Sequence, residues 1–69
     1  MVKDIRIKEE YITLGQLLKI ENLVSSGGEV KLFLSDNLVL INEEKDNRRG
    51  RKLYKNDVIK IQEKEYKIC

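Results

Sequence analysis

The stretch TLGQLLKIENLVSSGGEVKLFLSDN, Thr13–Asn37, decides the fold. Thr13 is followed three residues later by Gln16. At that spacing a hydroxyl and a side-chain amide each satisfy an orphan backbone N–H of a helix start. Leu14, Leu17 and Leu18 then fall at i, i+3 and i+4, one face of a helix that ends near Glu21 or Asn22. The pattern repeats at once. Ser26 with Glu29 reads as a second capping box, and Val30, Phe33 and Leu34 give the same spacing. Asn37 suits the left-handed position that closes a helix. Two short helices, about 13–21 and 27–36, joined by NLVSS, form a compact pair.

Working outward, LVLI (38–41), DVIKI (57–61) and YKIC (66–69) read as strands, with Gln62 to Glu65 turning between the last two. On the other side VKDIRIK (2–8) alternates imperfectly, and its β-branched content favours a short strand at a sheet edge. The expected fold class is α+β: two short capped helices packed on a small antiparallel sheet, one domain over 1–69. A chain this short has a modest stability of about 3–5 kcal/mol, and little room for a deep cleft or enclosed cofactor pocket.

The net charge of +2 is unevenly spread. Lys45, Arg48, Arg49, Arg51, Lys52 and Lys55 stand against Asp46 alone, a net of +5 within KDNRRGRKLYK, while the rest of the chain is slightly acidic. That run connects the LVLI and DVIKI strands. The sequence has no histidine, and its one cysteine is Cys69, so neither an internal disulfide nor a cysteine-based metal cluster is available. Carboxylates occur in no recognisable metal spacing, no serine has an adjacent base, and the chain reads as a non-enzyme without cofactor. The start MVKDIRIKEE lacks the apolar region of a signal peptide, and a cytoplasmic location is the default expectation.

Capped helix, short turn, capped helix, strand, basic connection and an Asp opening a strand resemble the S4-type RNA-binding domain, whose helix pair and hairpin-like element is called the αL motif. The resemblance runs from about Ile12 to Ile61, through Leu14, Leu17, Ser26, Val39–Asn42 and Asn56–Asp57. TLGQLLKIENLVSSGGEVK and RRGRKLY look closer still to the small stand-alone bacterial proteins of the YaaA type, a family associated with ribosomal large-subunit assembly. The chain departs from the S4 pattern at three places. Ser26-Gly27-Gly28 replaces Ser-Arg, Asn42-Glu43 replaces Asn-Gly, and Asn56-Asp57 replaces Gly-Asp. Asn tolerates the left-handed backbone that Gly would serve, whereas Glu43 adds negative charge beside the basic run.

The basic run is either a solvated loop or a phosphate clamp in which Arg48, Arg49, Arg51 and Lys52, with Lys45 and Lys55 at its ends, meet an RNA backbone. Gly50 would let the chain turn sharply or approach the ligand. The start of the second helix supplies a second element: Ser25, Ser26, Gly27 and Gly28 with exposed amides, and Lys31 one turn along. Its bland role is the cap itself, with the glycines forming the turn. Lys19 is a peripheral phosphate contact or an ordinary surface lysine. Tyr54 is a base-stacking residue or a half-buried strand-edge tyrosine, and Tyr11, Phe33 and Tyr66 read as core or strand residues. The expected partner is structured RNA, ribosomal RNA by the resemblance, bound by a monomer through shape and phosphate contacts, with no membrane and no small-molecule substrate. The rival readings are a protein-interaction adaptor using an exposed strand edge and the basic loop against an acidic partner, and a DNA-binding helix pair. The second helix, net −1 and mostly apolar, argues against DNA.

Overall fold

The computed structural model describes residues 2–69. The first helix, α1 (Leu14–Ile20), starts as its sequence dictates. Thr13 Oγ1 accepts from the Gln16 N–H at 3.2 Å, and Gln16 Oε1 accepts from the Thr13 N–H at 2.8 Å. Leu14, Leu17 and Leu18 are fully buried. The helix ends in a Schellman turn: the Asn22 N–H donates to Lys19 O at 3.1 Å and the Leu23 N–H to Leu18 O at 2.9 Å, with Asn22 at φ 58°.

The left-handed asparagine thus stands after α1, and Asn37, expected to play that part after α2 (Gly27–Asp36), is extended with φ −129°. Its side-chain amide donates to Phe33 O at 2.9 Å, which satisfies a terminal carbonyl without a left-handed residue. The start of α2 also departs from expectation. Ser26 is the N-cap, but its hydroxyl makes no capping bond. Glu29 instead accepts from both the backbone N–H and the hydroxyl of Ser25, because an ionised carboxylate competes best for the neighbouring donors. Gly27 and Gly28 are the first residues of the helix itself, with negative φ, rather than the turn before it. Gly50 likewise has a negative φ.

The strands are β1 (Val2–Ile5), β2 (Tyr11–Thr13), β3 (Val39–Ile41), β4 (Glu44–Lys45), β5 (Lys52–Tyr54), β6 (Val58–Ile61) and β7 (Lys64–Ile68). Five form one sheet in the order β1-β7-β6-β3-β4. The α+β class is as expected, but the sheet is mixed: β1, an edge strand, runs parallel to β7, with Val2 opposite Glu65 and Ile5 opposite Ile68. The ladder continues past both strands, from the Cys69 N–H to Ile5 O at 2.8 Å and from the Ile7 N–H to Cys69 O at 3.0 Å. Parallel pairing between the two ends of a chain is set by the intervening elements, not by a local turn.

The β6–β7 hairpin turns through Gln62 and Glu63 alone, with Gln62 at φ 58°. The β3–β4 hairpin turns through Asn42 (φ 51°) and Glu43 (φ 71°), both left-handed, as a two-residue turn of this twist requires. Glu43, where the S4 pattern has glycine, holds that conformation at a cost of about 1–2 kcal/mol.

The basic run is not one loop. Its ends belong to β4 and β5, and β5 pairs with β2 in a separate two-stranded ribbon, Tyr11 opposite Tyr54, Ile12 opposite Leu53 and Thr13 opposite Lys52. Ile12 and Leu53 point into the core; Tyr11, Lys52 and Tyr54 stay exposed. The core gathers Leu14, Leu17 and Leu18 of α1, Val30 and Leu34 of α2, and Val39, Ile41, Ile59, Ile61 and Ile68 of the sheet, with Phe33 partly buried against it.

The contrast between the two helix starts is testable. Thr13→Ala removes a working cap and lowers stability by about 1 kcal/mol, whereas Ser26→Ala removes none and stays within about 0.5 kcal/mol of wild type in urea titrations.

Candidate nucleic-acid interface

The segment between β4 and β5 is fastened to the start of α1. The Leu14 N–H donates to Arg51 O and the Gly15 N–H to Arg49 O, each at 2.9 Å. These are first-turn amides that a helix cannot satisfy itself, and the basic segment supplies their acceptors. Gly15 permits the approach: a Cβ there would stand 3.3 Å from Arg49 O, 3.6 Å from Val30 Cγ1 and 3.8 Å from Arg49 Cβ. One small residue therefore brings α1, α2 and the basic segment together.

The lone acid of the run is a clasp. Asp46 accepts from the Arg48 backbone N–H at 2.9 Å, from Arg48 Nε at 3.1 Å, and from Arg48 Nη2 and Arg51 Nη1 at 2.9 Å each. The Arg51 N–H closes the turn onto Arg48 O at 3.1 Å. The Arg48 guanidinium above all, helped by the Arg48 backbone and by Arg51, holds the Asp46 carboxyl well below the usual carboxylate range, against the opposing effect of burial. Two of the four central cations are thus partly spent on structure.

The motif residues after β3 and before β6 are structural as well. Asn42 Nδ2 donates to Asp57 Oδ1 at 3.0 Å, and Asn42 Oδ1 accepts from the Val58 N–H at 3.0 Å. Asp57 Oδ2 accepts from the Tyr54 N–H at 2.8 Å. Asn56 has φ 78°, the left-handed backbone that fits the glycine of the S4 pattern.

Lys19, Lys31, Lys45, Arg49, Lys52 and Lys55 form no ion pair among the described residues. Lys31 and Arg49 line one groove with Leu34, Ser35 and Asn47, so the second helix and the basic run do share a face. Lys19 lies by the start of α2: a Cβ at Gly27 would stand 3.7 Å from Lys19 Nζ, so the glycine leaves room for an ammonium there. The Glu29 carboxylate, bonded to Ser25, sits at that same helix start and opposes an anion there. A second groove, lined by Arg48, Gly50, Arg51, Lys52, Tyr54 and Asp57, opens beside the ribbon. Lys45 lines a third with the end of α2, and Lys55 lies exposed in the β5–β6 turn. Sequence reasoning missed Gly15 and Asn47, and placed Tyr11 without its exposure. The alternation Tyr11 out, Ile12 in was the available signal for the last.

A capped helix pair, a strand hairpin and a basic segment that returns to the first helix make up the fold, and the chain belongs to a known family: the family model described as "S4 domain" matches residues 5–69. Among curated proteins, "Probable ribosome maturation protein RlbA" of Bacillus subtilis (strain 168) is 55% identical over 62 residues, which cover 90% of this chain and 87% of the relative. No helix among the described residues is long and apolar enough to cross a membrane.

Asp46 gives a pH prediction. Its folded-state pKa is depressed, so its contribution is fully present above the unfolded carboxylate range and drains away as pH falls below about 4. Asp46→Asn is less stable than wild type at pH 7, and the gap between their melting temperatures narrows steadily from pH 5 to pH 2.

Proposed function

We propose that this protein binds structured RNA through phosphate contacts and serves maturation of the large ribosomal subunit. The observation that carries the reading is the groove shared by Lys31 from α2 and Arg49 from the basic segment, two cations without ion-pair partners among the described residues, with Lys19 of α1 beside the start of α2 at Gly27. Membership of the S4 family and the ribosome-maturation name of the 55% relative support it. Ser25, Ser26, Gly27 and Gly28 border the face; the Ser25 donors are held by Glu29, so the Ser26 hydroxyl and the first amides of α2 are what this border offers. Arg48, Arg51 and Lys52 extend the positive field along the groove beside the ribbon, with Lys45 by the end of α2 and Lys55 in the β5–β6 turn carrying it further.

The chemistry is positioning rather than catalysis. A-form RNA displays backbone and 2′-hydroxyls more readily than readable base edges, so a small face of forked and point cations reads shape. The protein works as a monomer in the cytoplasm, with no cofactor and no small-molecule substrate. Arg48 and Arg51 also carry the Asp46 clasp, so replacing them tests the fold and the interface at once. Lys19, Lys31 and Arg49 are the cleaner probes.

Binding of ribosomal RNA over a salt series tests the proposal. The wild type has a slope of log affinity on log salt of roughly −3 to −5, and Lys19→Ala/Lys31→Ala/Arg49→Ala has a slope shallower by about 2–3 with an unchanged melting temperature. Identical slopes for the two proteins move the interface elsewhere, with the exposed edge of β1 as the next place to seek a partner.

A further inference from the structure

The outer face of the β2–β5 ribbon carries chemistry that phosphate recognition leaves unused. Tyr11 and Tyr54 lie directly opposite in register, with ring centroids 5.6 Å apart and planes inclined at 49°. They remain 37% and 43% exposed. The Lys52 ammonium stands 5.0 Å from the centre of the Tyr11 ring, close enough for a cation–π attraction. The inward residues Ile12 and Leu53 already complete the ribbon's share of the core.

Tyr54 forms one wall of the groove that also holds Arg48, Gly50, Arg51, Lys52 and Asp57. The one acid there is engaged, since the Asp57 carboxylate accepts from the Tyr54 N–H and from the Asn42 side chain. A Cβ at Gly50 would meet nothing within 4 Å, so the entrance is open. A cross-strand aromatic pair steadies a ribbon, but that role leaves unused an open ring beside Lys52, which has no ion-pair partner among the described residues, and beside Arg48 and Arg51, which share the Asp46 carboxylate while the Arg48 side chain stays largely exposed. An aromatic face flanked by cations matches a nucleotide instead, with the base on the ring and the phosphate on the charges.

We propose that Tyr54, backed by Tyr11 and flanked by Arg48, Arg51 and Lys52, is a stacking platform for an unpaired nucleobase of RNA. The inference rests on the RNA-binding reading and narrows its substrate. A continuous duplex buries its base faces, so the platform selects RNA with a bulged, looped or frayed nucleotide beside the helical part that the Lys19–Lys31–Arg49 face holds. Recognition through a π-face is tolerant of base identity.

Two RNA hairpins that differ only in one bulged 2-aminopurine provide the test, with the intact protein and both affinity and fluorescence as readouts. Wild type binds the bulged hairpin about 5- to 20-fold more tightly than the fully paired one, and binding changes the 2-aminopurine emission. Tyr54→Phe keeps both effects. Tyr54→Leu, checked by thermal melting, loses the preference and the emission change while holding the paired hairpin as before. Equal binding of the two hairpins by wild type overturns the platform and leaves phosphate recognition standing, and this comparison needs no variant to fold. Survival of the preference in Tyr54→Leu also overturns the platform. Failure to bind either hairpin overturns the RNA reading and this inference together.

Discussion

The rest of the structure depends on two carbonyls. Arg49 O and Arg51 O accept the first-turn amides of α1, whose Leu14 and Gly15 are buried and have no access to water as a substitute. A buried donor left unsatisfied costs about 1–3 kcal/mol, a large part of what a domain of this size has to hold it together. The helix start is therefore stable only with the basic segment laid across it, and the segment keeps its shape only with the helix start beneath it. Gly15 is where the two meet closely enough for those bonds. Fold and candidate interface are consequences of the same contact.

Within that frame, Asp46 divides the labour among the cations. The carboxylate draws in Arg48 and Arg51 and folds the segment into a turn, leaving Arg49 between them to face the groove with Lys31. An acid inside a basic run looks like a weakening of the positive field. Here it holds Arg48 and Arg51 together on one carboxylate, while Arg49 lines a different groove. Asn42 and Asp57 do the same for the backbone, linking the β3–β4 hairpin to the start of β6 with side-chain hydrogen bonds.

Much of the helix pair was legible because its determinants are local. The Thr13–Gln16 box and the Leu14, Leu17, Leu18 spacing lie within a few residues, and both appear as read. The strands 38–41 and 57–61 were legible as apolar runs. Determinants that act across the chain were not. The β2–β5 ribbon joins three-residue strands some forty positions apart, and β1 pairs in parallel with β7 from the opposite end of the chain. Residue type also underdetermined the caps: Ser25, not Ser26, bonds the Glu29 side chain, and the left-handed asparagine is Asn22 after α1 rather than Asn37 after α2. The same division holds at the site. The cations could be named from composition, but the loss of Arg48 and Arg51 to Asp46, and the meeting of Lys31 with Arg49, are facts of geometry.

The most direct test of the account is to follow backbone amide shifts of the isotope-labelled protein by NMR as an RNA stem with one bulged nucleotide is added. The account predicts the largest changes at Lys19, Gly27, Lys31 and the segment 47–54, with the β1–β7 edge unmoved. Changes concentrated at that edge, with Lys31 and Arg49 silent, would contradict it.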